Sequence, residues 1–407
     1  MKKNILIVDD SALMRRVISD IINSDNRFTV KDIATNGLEA FDLILKNRFQ
    51  YDCVMLDINM PKLNGLELLE QLQKNRINIK VIMVSTLTKE GAKETIIALE
   101  RGALDFVTKP ENYLEAKNES FKNRLLEVLS VATGLDASGF GAAERVSVQK
   151  SAAVKKESFP GNTLEDTLGE IRKSTTTQNE TSNVVRTRSS VMPERGTTFE
   201  PHKRFVGNKE GKTKIVALAC STGGPKSLQS VIPYIPADID APIVLVQHMP
   251  KGFTNSLALR LNEMSKVTVK EAANGDILKK GYVYIAPGGY QMKVVKDGAN
   301  FKIVTTDDAA VGGLKPCANI MYESLKGLPI DEVTCVVLTG MGADGTLGIG
   351  ELSKTNNIYV ISQDEATSVV YGMPRAVAEA KLSDEVLPLE KIAAAILKNV
   401  GVLNNGR

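Results

Sequence analysis

A chain of 407 residues, 43% hydrophobic and 24% charged, has the balance of a soluble globular protein and is too long for one ordinary core. Lys and Arg total 51 against 48 Asp and Glu, a formal charge of +3, so no concentrated basic face argues for nucleic acid. The four cysteines, Cys53, Cys220, Cys317 and Cys335, form no CxxC pair, which argues against a zinc site or disulfide framework and for reduced thiols.

The opening MKKNILIVDD reaches acid by Asp9, too soon for the apolar region of a signal peptide. No run approaches the ~18 apolar residues that span a bilayer. A cytoplasmic protein with no membrane insertion is expected.

Residues 1–125 alternate short β-branched runs (Ile5–Val8, Phe28–Ile33, Cys53–Leu56, Lys80–Ser85, Leu104–Val107) with amphipathic stretches. In Ala12–Ile22 the side chains of Leu13, Val17, Ile18 and Ile21 fall on one helical face. Five strand–helix alternations predict a parallel sheet covered on both sides. Residues 126–212 read as the end of a helix followed by a linker. From about Leu135 the chain turns to Ser, Thr, Gly, Lys and Glu, as in KSTTTQNETSN and RTRSS, without apolar periodicity. Such a segment buries too little to offset chain entropy, and one short helix is expected near Thr163–Arg172.

Periodicity returns over residues 213–400. Ile215–Ala219, Ile243–Gln247, Val333–Leu338 and Ile358–Ile361 read as buried parallel strands. Pro225–Ile232, Phe253–Met264, Pro374–Ala380 and Leu389–Lys398 read as helices. Between them Val267–Thr305 carries NGD, APGG and KDGAN, the signals of hairpin turns, which predict an antiparallel insertion or edge. The fold class expected throughout is α/β, with a second doubly wound domain behind the first.

Asp9 and Asp10 follow the first strand, Asp57 ends the third, Ser85 ends the fourth and Lys109 follows the fifth. The carboxyl ends of strands in an open parallel sheet share one edge, so these side chains are expected to converge. A lone Asp after a strand is usually a cap or turn residue; this set, each at a successive strand end, reverses the odds. Clustered carboxylates need a cation, and all-oxygen ligands suit Mg²⁺. A carboxylate beside Mg²⁺ and a lysine is arranged to attack a phosphoryl group, and a hydroxyl such as Ser85 could report the product. VDDS, the DINMPKLNG run at 57–65 and DFVTKP at 105–110 closely resemble the bacterial response-regulator receiver domain. The resemblance implies a flavodoxin-like fold and phosphorylation at Asp57. It also implies Mg²⁺ held by Asp10 and Asp57, with Asp9 assisting and Asn59 contributing its backbone carbonyl. Lys109 would bind the phosphoryl group, with Ser85 and Phe106 as moving switch residues.

In the second domain IVALACSTGGP runs a strand straight into Ser221 and a glycine-rich turn. A serine there is exposed beside backbone N–H groups that can receive an oxyanion. STGG alone equally suits a phosphate or dinucleotide turn, although no full GxGxxG or Walker A sequence follows. Of two histidines, His202 lies in the linker and His248 ends the strand IVLVQ. LTGMGADGTLG delivers Asp344 from a third strand end, either as a helix cap or as the acid of a triad. The order Ser–His–Asp differs from that of α/β-hydrolases, so a distinct fold with a convergent site is expected.

Residues 213 to about 400 resemble the catalytic domain of chemotaxis protein-glutamate methylesterases in STGGP, QHMPKGFT, VKEAANGD, YIAPGG, LTGMGADG and QDEATSVVYGMPRA. The resemblance implies hydrolysis of glutamate γ-methyl esters on chemoreceptor cytoplasmic helices, deamidation of receptor glutamines, and phosphate donated by a chemotaxis histidine kinase. Ser221, His248 and Asp344 take the triad roles, with the Met341 N–H as oxyanion donor and no cofactor at this site. Ala219 stands where the family usually has glycine, Cys220 reads as a small buried residue, and Gln291 replaces a histidine that the triad chemistry therefore does not need. The resemblance further implies that the unphosphorylated receiver obstructs the hydrolase cleft. Three competing readings remain: a receiver on a binding module with an inert serine, a DNA-binding regulator, and a nucleotide-binding domain.

Overall fold

The computed structural model describes residues 2–47, 49–110, 119–135, 199 and 212–402, all within one compact unit. The expected helix near 163–172 and His202 lie outside the described residues. The first domain contains β1 (Lys3–Val8), α1 (Ala12–Ser24), β2 (Phe28–Ala34), α2 (Gly37–Lys46), β3 (Cys53–Asp57), α3 (Gly65–Lys74), β4 (Lys80–Ser85), α4 (Lys89–Glu100), β5 (Asp105–Thr108) and α5 (Glu119–Ala132). Its five strands are parallel in the order β2-β1-β3-β4-β5, the flavodoxin-like order. β3 is buried at all five positions, as a strand covered on both faces must be. Leu13 is 52% exposed, against expectation, while Ile18 and Ile21 are buried. The Ser11 cap places the first turn of α1 beyond the end of β1, so the apolar stripe meets the core only from its second turn.

The second domain continues with β6 (Lys214–Cys220), α6 (Gly224–Gln229), β7 (Ile243–Gln247), α7 (Phe253–Met264), β8 (Thr268–Glu271), β9 (Tyr282–Ile285), β10 (Gln291–Asp297), β11 (Asn300–Thr306), α8 (Ala318–Ser324), β12 (Glu332–Val337), α9 (Thr346–Leu352), β13 (Ile358–Gln363), α10 (Met373–Glu379), β14 (Glu385–Leu387) and α11 (Leu389–Val400). Seven strands form one sheet in the order β14-β13-β12-β6-β7-β9-β8, parallel throughout. The strand order reverses around β6, which is buried at every position.

The hairpins expected across Val267–Thr305 are corrected in part. KDGAN does turn the β10–β11 hairpin, which pairs antiparallel as a separate two-stranded sheet. NGD instead lies in the crossover between β8 and β9, which pair parallel, and APGG joins β9 to β10, which belong to different sheets. The local turn is real: Gly275 has φ +92°, and the Asp276 carboxylate accepts from the Ala273 N–H. It docks on β11 through Gly275 N–Ile303 O at 2.8 Å, while β9 pairs with β7 as well as β8. A turn signature fixes the bend and leaves open which strands flank it.

Two continuous apolar clusters pack on opposite faces of β6, with Val216 and Leu218 in one and Ile215, Ala217 and Ala219 in the other. The first cluster extends into the receiver, reaching Phe106 and Ile96. Leu218→Ala in this central strand is expected to cost about 2–5 kcal/mol, read as an earlier urea midpoint for the second domain. A change under about 1 kcal/mol would mean that β6 is not the packed centre of the sheet.

Candidate active site

Both sites lie where strand order reverses, at the carboxyl ends of the strands. In the first domain, Asp9, Asp10 and Asp57 offer carboxylate oxygens within 4.8 Å of one another. Lys109 Nζ lies 2.9 Å from Asp9 and 2.8 Å from Asp57. Asp9 and Asp57 are buried and Asp10 is exposed. Burial pushes the Asp57 carboxyl up to about 6 despite the opposing pull of Lys109, with Asp9 adding to the rise. Burial disfavours charge on Lys109, yet Asp57 and Asp9 together raise its pKa.

Asp9 Oδ2 is buried and faces the Lys109 ammonium at 2.9 Å. Three clustered carboxylates beside a single ammonium fit a hard divalent cation with oxygen ligands. Asn59 turns its side-chain amide to Glu94 at 3.0 Å, leaving its carbonyl without a hydrogen bond among the described residues. Gly65 is required by close approach, since a Cβ there would sit 2.2 Å from the Asp57 carbonyl. The Asn64–Glu67 capping box starts α3 at that point.

Ser85 joins this group only through its main chain, where its carbonyl accepts from the Lys109 N–H at 2.6 Å. Its hydroxyl is turned to α4, donating to Gly91 O and accepting from Thr95. Phe106 is 5% exposed and stacks on Phe253 of the second domain, with ring centroids 4.7 Å apart.

In the second domain the chain leaves β6 at Ser221, whose N–H donates to Thr339 O at 3.0 Å. Gly223 bends the backbone at φ +78°, and the Gly224 N–H closes the turn on Ser221 O at 2.7 Å. Gly340 must be glycine, because a Cβ would meet Ser221 Cβ at 2.9 Å and Met373 Sδ at 2.4 Å. The next amide, Met341 N–H, donates no hydrogen bond among the described residues, as an anion-receiving amide must not.

His248 Nε2 lies 2.8 Å from Asp344 Oδ2, leaving Nδ1 as the ring nitrogen not engaged by the carboxylate. Among the described residues the Ser221 hydroxyl makes no hydrogen bond, to His248 or to any other group. Asp344 is 1% exposed and accepts from the N–H groups of Ala318, Asn319 and Gly345 and from the Cys317 thiol. Burial opposes its ionisation, but the His248 contact and these donors hold the carboxyl below the ordinary range. The same burial beside Asp344 pushes the Cys317 thiol up, so it stays a neutral donor.

Sequence reasoning placed the three triad candidates and missed their supports. α8, whose first turn holds Asp344, was signalled by Ala318, Met321, Tyr322 and Leu325 at helical spacing after Pro316. Gln291 proves fully buried, its Oε1 accepting from the Cys317 N–H at 2.9 Å, so it braces the segment that feeds α8. Beside Ser221, the Thr222 hydroxyl donates to Asp105 of the receiver at 2.7 Å, and Asp105 pairs with Arg124 at 3.0 Å. On the flank, Glu100 of α4 pairs with Arg260 and accepts from Gln229.

Residues 216–396 match the CheB methylesterase family, and residues 5–118 match the response regulator receiver domain. The protein-glutamate methylesterase/protein-glutamine glutaminase of Geobacillus kaustophilus is 35% identical over 98% of this chain and 98% of its own. Proteins of the same name from Pyrococcus horikoshii (36% identical, 100% of this chain, 95% of its own) and Bacillus subtilis (37% identical, 96% and 97%) are similarly close.

Asp344→Asn would set an amide N–H₂ among donors that need an acceptor, at an expected cost of about 1–3 kcal/mol at neutral pH. Because the folded carboxyl titrates below its unfolded value, its contribution is full above about pH 4 and lost as pH falls through the folded value. The melting gap between wild type and variant should therefore narrow in acid. A gap that widens there would overturn this account of Asp344.

Proposed function

We propose a function from one premise: the chain belongs to the CheB methylesterase family, with a response regulator receiver domain ahead of the catalytic one. It acts as a protein-glutamate methylesterase/protein-glutamine glutaminase. Its substrates are glutamate γ-methyl esters and selected glutamines on the helices of methyl-accepting chemoreceptors. The observation that carries the reading is the His248–Asp344 pair, its carboxylate buried, beside the strand end bearing Ser221.

In the proposed reaction Ser221 Oγ attacks the ester carbonyl while His248 Nδ1 takes the hydroxyl proton. Asp344 holds the imidazolium from Nε2, and the Met341 N–H receives the oxyanion. The C–O bond to methoxide breaks, and methanol leaves with the proton carried by His248. Water, deprotonated by the same nitrogen, then cleaves the acyl-serine to glutamate. With a glutamine the leaving group is ammonia, and the residues keep their roles.

The receiver supplies control. Asp57 accepts a phosphoryl group from a chemotaxis histidine kinase, and Lys109 pairs with the phosphoryl oxygens. Mg²⁺, held by Asp10, Asp57 and the Asn59 carbonyl with Asp9 beside it, supplies charge neutralisation at the phosphoryl group when bound. No helix among the described residues is long and apolar enough to cross a membrane, and a cytoplasmic setting fits both the kinase and the receptor helices.

Obstruction of the serine turn by the receiver is supported by the Thr222–Asp105 bond next to the nucleophile. Phosphorylation shifts the balance toward an undocked state if the phosphorylated receiver fits that state better. Loss of this charge-assisted bond, worth about 1.5–3 kcal/mol, would move the docking balance roughly 10- to 100-fold. Asp105→Ala should therefore raise phosphodonor-independent methanol release several-fold while leaving phosphorylation of Asp57 intact. Unchanged basal release would remove Asp105 from the control.

The direct test is methanol release from methylated receptor fragments, with and without Mg²⁺ and a small phosphodonor. Ser221→Ala should abolish release, and Asp57→Ala should retain basal release but lose stimulation. Release that survives in Ser221→Ala would sink the esterase assignment.

A further inference from the structure

Gln247 ends β7 immediately before His248 and is 2% exposed. Its Nε2 donates to the carbonyl of Ser221 at 3.0 Å and to that of His248 at 3.2 Å. Its Oε1 accepts from the Cys220 thiol at 3.0 Å. Both amide hydrogens and the amide oxygen are thus engaged. A reversed amide would set oxygen against two carbonyl oxygens, so the donor pattern fixes the orientation. The fit is close: a Cβ at Gly224 would lie 2.0 Å from Oε1, and Gly224 is also the residue whose N–H closes the Ser221 turn. One buried side chain therefore grips the main chain at both Ser221 and His248, on neighbouring strands.

We propose that Gln247 is a positioning residue for the Ser221–His248 pair, and that the Cys220 thiol fixes its amide. The Ser221 carbonyl is held by Gly224 N and by Gln247 Nε2, which sets the peptide plane from which the hydroxyl projects. The same Nε2 sets the peptide after His248, which carries the ring. Strand pairing joins β6 to β7 only as far as Cys220 and Gln247, with one further bond from His248 N–H to Cys220 O. Beyond that point, the distance between nucleophile and base is governed by this side chain. A misplacement of about 1 Å between reacting groups costs on the order of 100-fold in rate. The inference rests on Ser221 as nucleophile and His248 as base.

The test uses the full chain, activated by Mg²⁺ and a small phosphodonor, with methanol release from methylated receptor fragments. Gln247→Met keeps much of the side chain's length and loses both donors. Its kcat should fall roughly 10- to 100-fold with KM within about twofold of wild type. Gln247→Glu separates positioning from packing. The ionised carboxylate repels both carbonyls, whereas its protonated form restores one donor, so the ratio of variant to wild-type kcat should rise as pH is lowered. If Gln247→Met does not fold, the pair Cys220→Ala and Cys220→Ser decides: loss of kcat in the first and recovery in the second is expected. Wild-type kcat in Gln247→Met, a loss confined to KM, a pH-independent Gln247→Glu ratio, or equal kcat in the two Cys220 variants would each overturn the proposal. Turnover persisting in Ser221→Ala overturns the premise itself, whereas its loss beside full kcat in Gln247→Met overturns the positioning role alone.

Discussion

The pairing of β6 between β12 and β7 is the constraint on which the second domain depends. Parallel ladders on both sides leave β6 no freedom of register, and its burial at every position makes a slip costly. Three chain segments then leave the sheet at one edge: the serine turn after β6, His248 after β7 and the glycine-rich loop after β12. The points at which they leave the sheet follow from hydrogen bonds made by the strands, and side chains such as Gln247 act beyond those points. Thr339, two residues beyond the last ladder pair, carries the order outward. Its carbonyl receives the Ser221 N–H, and its hydroxyl donates to the Thr222 carbonyl.

A buried carboxylate in such a place needs several donors to remain charged, and Asp344 has them. Three main-chain N–H groups, a thiol and the His248 ring surround it, so its charge is compensated before any substrate arrives. Glycine at 340 lets the loop bearing Met341 approach Ser221 closely.

The receiver and the hydrolase share apolar surface as well as polar contacts. Phe106 stacks on Phe253, and Glu100 of α4 is bonded to α6 and α7. Lys109, which pairs with Asp57, lies three residues after Phe106 on the same strand end, so the acidic pocket and the interface are joined through β5. A charge change at Asp57 has a short route, through the Lys109 ion pair and then along β5 to Asp105, to the contact beside Ser221.

The two α/β domains, the strand ends at or next to Asp9, Asp57, Lys109, Ser221 and His248, the glycine-rich loop bearing Asp344 and the turn at KDGAN were legible in the sequence. These follow from period-2 and period-3.6 apolar patterns and from turn residues, which are local properties of the chain. Only the tertiary structure decided that β8 and β9 run parallel, because NGD specifies a bend and not the partner of the strand that follows. It also decided that α8 caps Asp344, that the Ser85 hydroxyl faces α4, that Gln291 braces Cys317, and that Gln247 bonds the chain just beyond both β6 and β7. Each of these is a hydrogen bond between groups far apart in sequence or lying on different strands. The side chains that make them are ordinary in composition, and acquire their partners only when the sheet has set the distances.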